Sequence, residues 1–68
     1  MFVYVTMMHH SMYDEGFDSL PEIIARAACD RMYNFAYPLE IIGELANVVM
    51  DEDELSDAVD KYLETHNV

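Results

Sequence analysis

In 68 residues the chain has one cysteine, two glycines, two prolines and three Lys or Arg. Each scarcity excludes something. A single thiol, Cys29, cannot close an internal disulfide, so the usual staple of a small secreted domain is missing and a reducing cytosol fits. Two isolated glycines, Gly16 and Gly43, make no phosphate-binding loop. Long apolar runs are also lacking: Phe2 to Met8 is far too short to span a bilayer and has no basic stretch before it. Neither a signal peptide nor a membrane span is expected, and the expected compartment is the cytoplasm. The shortage of cations weighs most. Three Lys or Arg face fourteen Asp or Glu, for a formal net charge of -11. Such a chain repels nucleic acid and anionic membrane and attracts basic surfaces.

What is present is apolar. Hydrophobic residues make up 53% of the chain, too many for a disordered acidic tail. The length allows one domain, residues 1–68. A domain of this size buries only about 60% of the surface of its unfolded chain, and oligomerisation is the remaining aid to its stability.

Hydrophobic periodicity predicts a mainly α fold, a short N-terminal strand followed by three amphipathic helices. Phe2 to Met8 is rich in β-branched and aromatic residues and reads as a strand with two apolar faces, covered on both sides. With no second strand evident, Phe2, Val3, Tyr4, Val5, Thr6 and Met7 are expected to pair with a second copy across a two-fold axis, or to add to a partner's sheet. His9 to Asp18 reads as a loop turning at Gly16. Ser19 as N-cap and Glu22 at the capping-box position start a first helix running to about Phe35. Its polar stripe is Glu22, Arg26, Asp30 and Asn34; Ile24, Ala28, Met32 and Phe35 lie opposite. Pro38 starts a second helix to about Met50, with Leu39, Ile42, Leu45, Ala46 and Val49 inward, and Gly43 suggests a close helix crossing. The third, Met50 to Glu64, has two clean faces. Leu55, Ala58, Val59, Tyr62 and Leu63 form an apolar stripe; Asp53, Asp57, Asp60 and Glu64 line the outer side. Asp51 and Glu54 form a capping-box-like start, and residues 65–68 form a loose tail.

No chemistry accompanies this pattern. Met7, Met8, His9, His10 and Met12 offer soft ligands, but neighbours on a strand diverge and no structural-zinc spacing completes the set. Asp51 to Glu54 fails the calcium-loop pattern at Leu55 and Ser56. Cys29 lies among Ala25, Ala28 and Met32, as a buried structural cysteine does, with no supported base. Asp18-Ser19-Leu20 resembles the attachment motif of acyl carrier proteins, in which the serine carries phosphopantetheine; the N-cap role accounts for the same residues, and the long helix that precedes that motif is absent. No enzyme, metal or cofactor is expected.

The acidic row remains. Asp53 to Glu64 spreads four carboxylates over roughly 16 Å, at steps near the spacing of backbone phosphates. Glu40 and Glu44 form a second row, and Tyr13 and Phe17, aromatics in a polar loop, are expected contact residues. In tiny size, acidity and ordered helices the chain resembles in type the acidic inhibitors that phages and mobile elements direct at host nucleic-acid enzymes, anti-restriction and anti-CRISPR proteins among them. That resemblance implies a non-enzymatic nucleic-acid mimic acting in the host cytoplasm on the basic surface of a nucleic-acid-binding protein. The other reading is a small homodimeric interaction module whose charge serves solubility.

Overall fold

The computed structural model describes residues 1–66. Its elements are β1 (Phe2–Met8), β2 (Ser11–Phe17), α1 (Leu20–Tyr33), β3 (Tyr37–Ile42), β4 (Val48–Met50) and α2 (Glu52–Thr65). The four strands form one antiparallel sheet in the order β2-β1-β3-β4. The fold is therefore α+β, with two helices on one face of a sheet, and not the mainly helical one that periodicity predicts.

β1 has the predicted bounds, but its partners lie within the chain. It pairs with β2 from Phe2↔Phe17 to Met8↔Ser11, and with β3 from Val3↔Ile42 to Met7↔Tyr37. Both edges of β1 are thus occupied, which overturns the pairing of Phe2, Val3, Tyr4, Val5, Thr6 and Met7 with a second copy. The predicted loop over 9–18 is a hairpin instead. His9 and His10 form its two-residue turn, both at positive φ (53° and 66°), the conformation a tight hairpin connection requires. Sequence reasoning looks for Asn-Gly there, and His-His hides the turn.

The predicted second helix is a second hairpin. β-Branched residues cluster at Ile41-Ile42 and Val48-Val49, and between them Gly43 and Asn47 close a loop of Glu44, Leu45 and Ala46. The Gly43 N–H donates to the Asn47 carbonyl (2.8 Å) and the Ala46 N–H to the Gly43 carbonyl (3.0 Å), with Ala46 at φ 61°. This is the three-residue loop that ends in a left-handed residue. Gly43 marks no helix crossing: a Cβ there would meet Asn47 Oδ1 at 2.9 Å and Val49 Cγ2 at 3.0 Å. Pro38 is tolerated because β4 pairs with β3 only at Ile41 and Ile42, and the β1–β3 ladder shifts register beside it.

The helices cover one face of the sheet. Tyr4, Ile23, Ala27, Ala28, Ile41, Leu55 and Val59 form the core, with Phe2, Phe17, Leu20, Ile24, Val49, Met50, Tyr62 and Leu63 packed round it. α2 follows its predicted pattern. The Asp51 side chain accepts from the Glu54 N–H (2.9 Å) and Glu54 reaches back to the Asp51 N–H, a complete capping box. Of the predicted tail, Thr65 belongs to α2, His66 is its C-cap, and 67–68 lie outside the described residues. α1 forms where expected but is rotated about its axis. Asp30, placed on the outer stripe by periodicity, is buried, while Met32 and Phe35 are exposed. Ser19 stands at the N-cap with extended backbone but makes no side-chain cap bond, so the capping box expected of Ser19 and Glu22 does not form. Among the described residues no element covers the sheet's second face, contrary to the two-sided cover expected of β1.

Candidate functional site

The rotation of α1 has a cause. The Tyr4 hydroxyl donates to Asp30 Oδ2 at 2.8 Å inside the core, and Asn34 Nδ2 donates to Asp30 Oδ1 at 2.8 Å. Arg26 approaches the same carboxylate at 3.6 Å and pairs with Glu15 of β2 at 3.0 Å. A buried carboxylate must find donors, and here two side chains and a guanidinium satisfy it. Burial, then the hydrogen bond to Asp30 and its charge, push the Tyr4 hydroxyl pKa far above the ordinary tyrosine value. Tyr4 is thus a fixed donor and no proton shuttle. Beside the network lies a cavity of about 210 Å³ lined by Thr6, Met8, Tyr13, Glu15, Arg26, Asp30, Asn34 and Ala36. Of its polar groups, Glu15, Arg26, Asp30 and Asn34 are engaged with one another, and no buried side-chain polar atom among the described residues lacks a partner.

Both arginines are committed to internal ion pairs, Arg26 as above and Arg31 with Asp60 across the two helices. The Met1 amino group pairs with Glu44 and holds that carboxyl below its usual range through a hydrogen bond and its charge. Among the described residues, ten carboxylates have no cationic partner within 4 Å: Asp14, Asp18, Glu22, Glu40, Asp51, Glu52, Asp53, Glu54, Asp57 and Glu64. Six of them belong to α2 or its cap.

The predicted row is present on α2. Asp53, Asp57, Asp60 and Glu64 are all exposed and lie opposite the buried Leu55 and Val59. Asp60 differs from the rest because Arg31 neutralises it. Beside the row, Glu54, Asp57, Asp60 and Lys61 border a shallow depression floored by Met50 and Ala58. The second row does not join it. Glu40 pairs with Val5 in β3 and so faces the opposite side of the sheet from buried Ile41, and Glu44 sits in the β3–β4 turn. The placement of Glu40 and Glu44 beside the α2 row depended on a helix that does not exist.

Tyr13 and Phe17 also separate. Phe17 packs edge-on against Tyr4, ring centroids 6.1 Å apart, as part of the core. Tyr13 is half-exposed at the cavity beside Asp30. Round the end of α1, Tyr33 and Tyr37, aromatics of the kind that anchor interfaces, are exposed, and so is Phe35, which helical spacing places inward but which is 84% exposed at φ 54°. Cys29 is exposed, not buried, in a groove between the helices with Ala25, Ala28, Met32, Tyr33, Tyr62, Leu63 and His66. The His66 ring stacks on Tyr62 at 4.0 Å. Among the described residues no three His, Cys, Asp or Glu are grouped as metal ligands, and no helix is long and apolar enough to cross a membrane. Asp18-Ser19-Leu20 opens α1 after two strands, not after the helix that precedes the acyl carrier motif. No family model matches the chain, and neither a curated protein nor a solved structure matches it.

Proposed function

We propose that this protein is a non-enzymatic binding protein that lays the outer face of α2 against the basic surface of a nucleic-acid-binding protein, as an acidic inhibitor of the phage or mobile-element type acting in the host cytoplasm. The observation that carries the reading is the set of unneutralised carboxylates on one regular helix. Asp53, Asp57 and Glu64 lie within one arc of α2 and none has an ion pair within 4 Å among the described residues; Lys61 stands at the edge of that arc, Arg31 is held by Asp60 and Arg26 by Glu15 and Asp30. A rigid helix holds the row at fixed spacing, so a basic groove meets pre-placed charges. Asp60 acts as the brace that fixes α2 on α1 through Arg31, and the contact falls to the other three.

The test is capture of nucleic-acid-binding proteins from a cell lysate on the immobilised full chain, eluted with rising salt. Wild type should release them steeply as salt rises. The triple variant Asp53→Asn, Asp57→Asn, Glu64→Gln should lose them at low salt. Equal capture by the triple variant, or a partner that resists high salt, would overturn the proposal.

A further inference from the structure

The face of the sheet turned away from the helices is built from the alternate residues of each strand. Tyr4 of β1 points into the core, so Val3, Val5 and Met7 point the other way. Register places Gly16, Asp14 and Met12 of β2 beside them on one side, and Ile42, Glu40 and Tyr37 of β3 on the other. Val48 of β4 extends the face next to Ile42, and the Met1 side chain lies over Gly16. Solvated faces of antiparallel sheets usually alternate to polar residues. Here the central strand places three apolar side chains in a row on this face, Val3 and Met7 partly exposed with Val5 buried between them, and Met12, Tyr37 and Val48 beside them are 63%, 67% and 55% exposed.

Two charges frame this strip. Asp14 and Glu40 are both opposite Val5, one on each neighbouring strand, so their backbones are about 10 Å apart across β1. Neither has an ion-pair partner among the described residues. Arg26 and Arg31 lie on α1 and Lys61 on α2, behind the sheet, and the Met1 amino group is held by Glu44. A second copy placed on this face would bring Asp14 and Glu40 against their own counterparts. The pattern calls for the opposite sign on both flanks of an apolar ridge.

We propose that this open sheet face docks a basic amphipathic helix of a partner protein, apolar ridge along β1 and Lys or Arg side chains reaching Asp14 and Glu40. The dimensions agree. A helix about 10 Å across covers the strip between β2 and β3, and the seven residues of β1, roughly 23 Å long, match about four helical turns. Val3, Met7 and Ile42 form the accessible apolar floor with buried Val5 between them; Asp14 and Glu40 set the helix on its axis; Met12 and Tyr37 flank Met7 at one end and Val48 flanks Ile42 at the other. This contact lies on the opposite side of the molecule from the α2 row and stands without it.

The probe is a synthetic peptide of about fourteen residues made of Leu and Lys, Leu at helical spacing, titrated into the isotope-labelled full chain and followed by NMR. Amide and methyl shifts are expected at Val3, Val5, Met7, Ile42 and Met12. The surface variant Asp14→Lys/Glu40→Lys should weaken binding about tenfold or more, while Asp53→Asn/Asp57→Asn should leave the sheet-face shifts in place. A Leu and Glu counterpart of the peptide should not bind. Shifts confined to α2, an unchanged affinity in the Asp14 and Glu40 variant, or peptide-free self-association through the same methyl groups would each overturn the proposal.

Discussion

Tyr4 and Asp30 tie the middle of the sheet to α1 through one buried hydrogen bond, and the chemistry of that bond sets a pH limit on the fold. Tyr4 is 1% exposed, and its hydroxyl pKa is raised by burial and by Asp30. Because the folded value lies above the unfolded one, this stabilisation is complete below the unfolded pKa of 10.0. Above it the unfolded chain loses a proton that the folded chain keeps. Stability should then fall by up to about 1.4 kcal/mol per pH unit on this account alone. Tyr4→Phe leaves Asp30 with Asn34 and Arg26 but one donor short, and should cost about 1–3 kcal/mol at neutral pH. The variant should also lose much of the alkaline slope. Urea unfolding of both proteins at pH 8 and pH 11 checks it: an equal slope in the variant would show that Tyr4 does not set the limit. None of this was legible in the sequence, because helical spacing alone put Asp30 among solvated charges, and its partner is 26 residues away.

Elements were legible where local and tertiary demands agree. α2 has a capping box, a first turn rich in carboxylates and an apolar stripe, and the fold uses every one of them. β1 was legible from its β-branched and aromatic content. The two hairpins were not, because each turn lacks its marker residue. The β3–β4 loop puts Ala46 where glycine is the usual left-handed residue, and with the turn disguised, the spacing of Leu39, Ile42, Leu45, Ala46 and Val49 also fits a helix. The β1–β2 turn does the same with histidines. Two non-glycine residues at positive φ store strain that a matched turn would release. His9→Asn with His10→Gly should therefore stabilise the protein by about 1 kcal/mol, read as a higher urea midpoint at unchanged slope. A lower midpoint would mean that the imidazoles make contacts that outweigh the strain. The candidate site divides along the same line: the α2 row was readable because its helix was, whereas Glu40 changed faces when its helix became a strand.

The whole molecule carries a charge of -11 within a longest dimension of 36 Å, with few internal cations to offset it. At about 0.01 M salt the screening length is near 30 Å, so nearly every carboxylate feels every other; at about 0.1 M it is near 10 Å, and the field becomes local. Compaction brings these charges together, so self-repulsion opposes folding most at low salt. The exposed pairs, Arg31 with Asp60 and Arg26 with Glu15, pull the other way, since salt weakens them, but exposed pairs contribute little. Repulsion among ten unpaired carboxylates should win. Raising salt from about 0.01 M to 0.1 M should stabilise the fold by about 1 kcal/mol and lift Tm by about 4–8 °C, measured by thermal unfolding at neutral pH. A Tm that falls with salt would show that the ion pairs outweigh the repulsion and that the charge is balanced within the fold. A Tm that rises would show that it is not balanced. A basic partner would then relieve the same repulsion that salt relieves, so docking on either acidic surface should raise Tm most where salt is lowest, and relieved self-repulsion would contribute to the affinity beside the direct contacts.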